Sequence, residues 1–381
     1  MDQTDAVVVG AGPAGLAMGA VLREIKVPFV MLERDEQVGS AWRRHYERLH
    51  LHTVKQHSSL PYRPFPKDVP RYPSCDQVIR YLEDYSRHFD LAPHYSWDVT
   101  HIRRAADGWV TGSLRGTVAS RQVVVAAGYN RIPRMPSWPG QHEFGGQILH
   151  SSGYRNGAPW KGRHVLVVGA GNSGAEIALD LCDHGADVSL CVRGGLNVVP
   201  RDFLGIPIQV STIRLAALAP GARDTIGRAI SRLAFGDLRR YGIHMPERGP
   251  VTDLLQRGRV PLIDVGTIDR IKRGLIQVVP AIERFTGTEV VFVDGRHLPL
   301  DLVLLATGYT TGLGELLQEP GLLDARGYPL RCGEETAPGL YFLGYRNTPT
   351  GLLRSIAQDA LAIGEHIGRR HATSSPRRLP C

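Results

Sequence analysis

Residues 6–16 read Ala6-Val7-Val8-Val9-Gly10-Ala11-Gly12-Pro13-Ala14-Gly15-Leu16, an apolar β-branched run that breaks into glycines and resumes as a helical pattern. The spacing predicts a strand, a tight turn and a helix. Gly10 suits a turn with positive φ, Gly12 lets backbone approach a pyrophosphate, and Gly15 lets helix and strand pack closely, so that the helix N-terminus meets the anion. Glu33 closes the next apolar run, Phe29-Val30-Met31-Leu32. That is near the ~20-residue offset at which a carboxylate reaches a ribose hydroxyl. A strand before the glycines, a helix after them and an acid at this distance turn a weak motif into a dinucleotide site.

The pattern occurs a second time. Val165-Leu166-Val167-Val168-Gly169-Ala170-Gly171-Asn172-Ser173-Gly174 repeats it at a constant offset of 159 residues from Gly10 to Gly169. Carried across by that offset, Glu33 falls on Val192, with Arg193 directly after it. The second site lacks the ribose-binding acid and offers a guanidinium, which suits a 2′-phosphate and points to NADP rather than NAD.

Length and composition agree with two nucleotide domains. A chain of 381 residues accommodates two at the ~150-residue scale, and an apolar fraction of 43% with 22% charged residues is that of a globular protein. No run reaches the ~18 apolar residues of a membrane span, and the N-terminus enters its strand without a leader, so no integral membrane segment and a cytoplasmic location are expected. The net charge of +8 comes from 40 Arg and 5 Lys spread along the whole chain. Without basic blocks interleaved with aromatics, it does not indicate a nucleic-acid partner. The cysteines, Cys75, Cys182, Cys191, Cys332 and Cys381, form no close pair. This argues against a flavoprotein that reduces disulfides, and against zinc; no metal site is expected.

Further along, Leu49-His50-Leu51-His52-Thr53-Val54-Lys55 and Leu60-Pro61-Tyr62-Arg63-Pro64-Phe65-Pro66 read as a constrained loop. Ser74 to Gln77 is a capping box that opens a helix with apolar positions Val78, Ile79, Leu82 and Tyr85, ending near His88. Strands are expected around Asp98–Ile102 and Trp109–Leu114. The runs Val123–Gly128, Leu302–Gly308 and Leu340–Gly344 end in glycine after continuous apolar residues, as strands buried on both faces of a doubly wound sheet do. In residues 205–250, Ile226, Ile230 and Leu233 share one helical face, Pro220-Gly221 breaks that helix from an earlier apolar stretch, and a lid over substrate is one reading beside ordinary domain packing.

Between the two motifs lies Phe144-Gly145-Gly146-Gln147-Ile148-Leu149-His150-Ser151-Ser152-Gly153-Tyr154. FxGxxxHxxxY immediately upstream of a second GxGxxG resembles the identifying motif of the flavin-containing monooxygenases, and Ala306-Thr307-Gly308-Tyr309 resembles their ATGY element. Within that family the chain is most similar to the YUCCA branch, through Arg48–His52 with Lys55, Leu60-Pro61, Pro64-Phe65-Pro66, Tyr81–Tyr85 with His88–Asp90, and Val265–Ile268 through Phe285-Thr286-Gly287. His52 stands where animal-type enzymes carry Asn, and YUCCA enzymes resemble this chain there. The Gly351-Leu352-Leu353 segment also resembles YUCCA sequences, which usually continue with a small residue where Arg354 stands.

The resemblance implies an α/β fold of two Rossmann-like dinucleotide-binding domains, the FAD domain discontinuous: residues 1–158, an NADPH domain over 159–305 with a helical insertion at about 205–250, a return segment 306–372, and a disordered tail 373–381. It implies FAD, NADPH and O2, with oxygen carried to a small-molecule substrate on a C4a-(hydro)peroxyflavin, and a homodimer is compatible with it. Gly10, Gly12, Pro13, Ala14, Gly15, Glu33, Arg34, Ala41, Val99 and Gly128 are assigned to FAD, with Trp42 and Thr53 near its ring or ribityl chain. Gly169, Gly171, Asn172, Ser173, Gly174 and Arg193 are assigned to NADPH, and Thr307 and Gly308 complete the cofactor set. His52 and Lys55 are expected at the flavin–nicotinamide junction, Gln358 near the flavin, and Arg354 or Arg201 as a clamp for a substrate carboxylate; His150 and Tyr154 are expected to hold the domain junction. Oxidative decarboxylation of an aryl 2-oxo acid is the expected reaction. N- or S-oxygenation of an amine or sulfide and a non-catalytic flavin-binding redox sensor are the alternatives.

Overall fold

The computed structural model describes residues 2–374. The β-branched run folds as the strand Asp2–Val9 and pairs in parallel with Phe29–Leu32 on one side and, through Val118 to Val125, with the strand Gly116–Val125 on the other. Leu340–Phe342 continues the parallel order beyond Val123–Val125. Val7, Val8, Val124 and Val125 have no exposed surface. Burying each contributes about 1.5–3 kcal/mol relative to leaving it in water. Val99–Ala105 and Gly108–Ser113 join antiparallel as a meander that leads into the long strand, and Glu335–Ala337 closes the far edge.

The same device is built again. His164–Val168 lies between Asp187–Cys191 and Leu302–Leu305, with Ile276–Val279 and Gln147–His150 outside them, giving five parallel strands. The strand Gln147–His150 belongs to this second sheet, which therefore begins to recruit chain before residue 159. An antiparallel three-stranded unit, Ile282–Phe285, Glu289–Phe292 and His297–Pro299, stands where the first half has its meander.

Helix Pro13–Glu24 packs between its sheet and the long helix Leu352–Ser374. Gly364 permits the approach, since a Cβ there would meet Val21 Cγ1 at 2.1 Å. The long helix includes residues 373 and 374, the start of the expected tail; the remainder, 375–381, lies outside the described residues. The capping box forms with both its bonds, Ser74 N to Gln77 Oε1 at 2.9 Å and Gln77 N to Ser74 Oγ at 3.3 Å, and opens Cys75–His88. Tyr81 is buried in that helix, while Ile79 sits on its flank.

Residues 205–250 contain the helices Ile208–Arg214 and Pro220–Phe235, followed by Pro250–Arg257. Pro220-Gly221 separates the first two as expected, and Pro220 opens the second helix, because a proline at the first helical position gives up no hydrogen bond. Ile226 and Ile230 line the cavity, whereas Leu233, on the same face but one turn further along the helix, lies outside the wall and is 77% exposed.

Candidate functional site

Both glycine turns have the same local geometry. Gly10 has φ +105° and Gly169 φ +108°, and a Cβ on either would lie 2.6 Å from a carbonyl oxygen, that of Ala126 or Ala306. A Cβ at Gly15 or Gly174 would lie 1.8 Å from the carbonyl oxygen of the turn glycine, so strand and helix meet at a distance only glycine allows. At Gly12 and Gly171 an added Cβ meets nothing within 4 Å. Each of these two caps a 12-residue helix without side-chain help, leaving open N–H groups at the place a pyrophosphate would occupy. Buried Glu33 accepts from Ala11 N at 2.5 Å and Asp35 N at 2.9 Å, which fixes its carboxylate at the cavity wall. Each cradle thus fits the pyrophosphate of a dinucleotide.

The two cradles open into one cavity of about 710 Å³. Gly10, Gly12, Pro13, Ala14, Glu33, Arg34, Ala41, Trp42, Thr53, Val99 and Gly128 line it from the first half, and Gly171, Asn172, Ser173, Gly174 and Gly308 from the second. Gly15 and Gly169 stand behind the wall and shape it. The Asn172 side chain is occupied by the Pro261 carbonyl at 3.2 Å and the Ile263 N–H at 2.8 Å, so only its backbone is available to a ligand. Thr307 does not line the cavity; its hydroxyl donates to the Arg134 carbonyl at 2.6 Å. Arg193 also lies outside the wall, exposed beyond the carboxyl end of Asp187–Cys191, with no ion pair among the described residues.

His52 reaches the cavity, whereas Lys55, Gln358, Arg354 and Arg201, expected to act with it, do not line it. Its Nε2 is hydrogen-bonded to Glu176 Oε1 on the helix of the second cradle, where the carboxylate is 4% exposed. Burial, with the same carboxylate alongside, pushes the Tyr46 phenol well above its ordinary range, and burial lowers the His45 imidazole. The Lys55 ammonium instead donates to three main-chain carbonyls, those of Pro66 at 3.1 Å, Lys67 at 2.7 Å and Val69, and so braces the proline-rich loop. Gln358 is exposed on the outer face of the long helix, and Arg354, one turn before it, lies near His57 outside the wall. Arg201 stacks over the Tyr72 ring at 4.1 Å and pairs with Asp202 at 3.3 Å. Neither arginine is placed to clamp a ligand in this cavity.

His150 and Tyr154 tie segments together. His150 Nδ1 accepts from Ser152 N at 3.1 Å, so its Nε2 donates to the Gly308 carbonyl at 3.1 Å, and burial lowers its pKa. Tyr154 donates to Asp180 at 2.6 Å.

Three further residues matter that sequence reasoning passes over. Glu176 is one. Gln209, 3% exposed, accepts from Val54 N at 2.8 Å and donates to the Thr350 carbonyl at 2.6 Å, and so pins the insertion to both segments beside the first cradle. Arg223 lines the cavity from the insertion, among Leu215, Ile226, Ile230, Val251 and Leu254. A polar residue inside an apolar helical run is the signal that marks Glu176 and Gln209; Arg223 carries none.

Comparison with known proteins places this architecture. Residues 7–202 match the family model described as pyridine nucleotide-disulphide oxidoreductase. The chain is 38% identical over 379 residues to the probable indole-3-pyruvate monooxygenase YUCCA7 of Arabidopsis thaliana, covering 95% of this chain and 86% of the relative. It is 39% identical over 391 residues to the indole-3-pyruvate monooxygenase YUCCA4 of Oryza sativa subsp. japonica, covering 97% and 88%. The chain belongs to the YUCCA-like flavin-containing monooxygenases.

Solved monooxygenases share the fold. A flavin-containing monooxygenase from Stenotrophomonas maltophilia matches with a TM-score of 0.73 at 24% identity, over 97% of this chain and all of that one. A steroid monooxygenase bound to NADP matches with a TM-score of 0.77 at 19% identity, over 98% and 87%. This monooxygenase is therefore an enzyme that uses flavin, NADPH and O2 on a small molecule. No cysteine among the described residues lines its cavity. None of its described helices is long and apolar enough to cross a membrane.

Proposed function

We propose that the enzyme binds FAD in the first cradle and NADPH in the second, and that it decarboxylates an aryl 2-oxo acid oxidatively. The overall change is 2-oxo acid, O2, NADPH and a proton to the acid one carbon shorter, carbon dioxide, water and NADP⁺. Bound FAD, reduced by NADPH, supplies the activated oxygen. The observation that carries the reading is the cavity itself: both cradles share it with an apolar chamber walled by Ile208, Leu215, Ile226, Ile230, Val251 and Leu254. That chamber has the character of an aryl-binding site. The relatives aligned over nearly the whole chain are named for an aryl 2-oxo acid.

The protein's part is to position and to exclude water. Glu33 would hold the first ribose. The helix N-termini at Gly12 and Gly171 would hold the two pyrophosphates. His52, fixed by Glu176, forms the wall where the two nucleotide sites meet. Trp42 contributes an edge-on ring contact to His45, at 6.0 Å, that stiffens the same wall.

Arg193 would select the 2′-phosphate. An exposed pair of this kind is worth about 1 kcal/mol or less. Arg193→Ala is then expected to lower the NADPH-over-NADH preference in kcat/KM by up to about five-fold, and an unchanged ratio reduces the residue to surface charge.

The deciding experiment mixes enzyme, NADPH and O2 with indole-3-pyruvate and phenylpyruvate and looks for the shortened acid together with carbon dioxide. Hydrogen peroxide alone from these acids, with an oxygenated product from an amine or sulfide, would replace this reading with N- or S-oxygenation.

A further inference from the structure

The apolar end of the cavity contains a cation without a partner among the described residues. Arg223 lies in the first turn of Pro220–Phe235, its Nε is buried with no hydrogen-bond partner, and its guanidinium makes no ion pair among the described residues. The other arginines on the cavity wall are compensated, Arg34 and Arg44 by Asp35 at 3.9 and 2.9 Å and Arg131 by Asp98 at 3.4 Å. Arg228, further along the same helix, also has a buried free Nε, but its Nη2 donates to the carbonyls of Pro246 at 3.0 Å and of Glu247. Arg223 has no such substitute.

A guanidinium stays charged at any pH a protein survives, so it cannot relieve burial by losing its proton. Placing it among Leu215, Ile226, Pro250 and Leu254 without a counter-charge is unfavourable unless an anion arrives with the ligand. Its planar fork matches a carboxylate in two parallel hydrogen bonds, and the aliphatic walls around it match an apolar body on the same molecule. The pyrophosphate of the second nucleotide would already have the N-terminus of Asn172–Asp183, and Arg193, two residues past the strand Asp187–Cys191, would serve its 2′-phosphate.

We infer that Arg223 holds the carboxylate of the substrate. The inference rests on the 2-oxo acid reading and assigns its recognition to a residue of the insertion instead of Arg354 or Arg201. Fixing the carboxylate fixes the adjacent carbonyl carbon relative to the cavity walls, which is the orientation a 2-oxo acid needs. An amide or methyl ketone of the same shape would lack the anchor.

The test compares wild type, Arg223→Gln and Arg223→Lys as FAD-loaded enzymes. Binding of phenylacetate and of phenylacetamide is followed through the visible absorbance of the bound flavin, and KM for NADPH is measured from NADPH oxidation without substrate. Arg223→Gln is expected to weaken phenylacetate binding about 10- to 100-fold, the range of one charge-assisted contact, with phenylacetamide binding and KM for NADPH unchanged. Arg223→Lys, which keeps the charge and loses the fork, should fall between. Phenylacetate binding that ignores the substitution, or a wild type that binds the amide as tightly as the acid, overturns the inference. So does a KM for NADPH that rises in step, since the anion held would then be a nucleotide phosphate. Failure of the decarboxylation reading shows separately, as a wild type that binds phenylacetate through Arg223 yet forms no shortened acid from phenylpyruvate.

Discussion

His52 and Glu176 are 124 residues apart in the chain, yet the imidazole Nε2 and the carboxylate are directly hydrogen-bonded. The bond joins the loop beside the first cradle to the helix that opens at the second. With side-chain exposures of 15% and 4%, it is largely shielded from water, so neither group has solvent as a ready substitute.

Removing the imidazole leaves the carboxylate buried and short of a donor. His52→Ala should cost about 1–3 kcal/mol of stability, and a double-mutant cycle with Glu176→Gln should return a coupling of similar size. The same variant should divert NADPH oxidation from product toward hydrogen peroxide, because the wall between the two nucleotide sites loses its tie. Additive single effects with intact coupling of oxidation to product would show that the contact is incidental.

The glycines of the first cradle should fail in different ways. Gly15→Ala places a methyl group 1.8 Å from a backbone oxygen, so the expected result is a protein that is insoluble or strongly destabilised. Gly12→Ala meets no protein atom within 4 Å, so the chain should fold but purify with little flavin. Gly171→Ala should keep the flavin and raise KM for NADPH. Flavin content by absorbance and melting by circular dichroism separate the three; a yellow, flavin-replete Gly12→Ala protein would contradict the cradle.

Lys55 is a brace in the structure. Lys55→Met removes the donor that three carbonyls share and should cost about 1–3 kcal/mol in chemical denaturation. Activity per bound flavin should stay at the wild-type level. A loss of turnover at unchanged stability would return Lys55 to the reaction.

Burial lowers the His150 imidazole below its ordinary value of 6.5, and His45 is shifted the same way. The folded state then binds fewer protons than the unfolded chain, so stability is fully present above pH 6.5 and falls as pH drops below it. Unfolding free energies should decline between pH 7.5 and 5.5, and His150→Gln should flatten part of that slope. A variant with the wild-type slope would place the titration elsewhere.

What the sequence reveals follows from which constraints act locally. Gly10, Gly15 and their counterparts are legible because a positive φ and a carbonyl contact exclude every other residue, and Ser74 with Gln77 because a capping box spans four consecutive positions. Pairings such as Gln209 with Val54, 155 residues apart, leave no local trace. Lys55 misleads for a related reason: its partners are carbonyls, which every residue has, so a cation in a polar loop looks free when it is engaged. Arg354 and Gln358 are four apart on one helix and therefore share a face, but Leu353, Ile356, Ala360 and Ile363 are the positions that turn inward. The helical period gives that face; only its docking on Pro13–Glu24 says which side the ligand is on.

The polypeptide passes from one sheet to the other twice, and the two passages are stitched together. Ile132–Pro133 pairs antiparallel with Tyr309–Thr310, and Arg134 N donates to the Gly308 carbonyl at 2.9 Å. Two separate strings would let the halves slide as well as swing. A single hydrogen-bonded ribbon resists sliding, which would break both of its edges at once, and yields most easily to bending and torsion along its own length. Any relative movement of the two halves is then expected to follow bending or twisting along this ribbon rather than sliding across it.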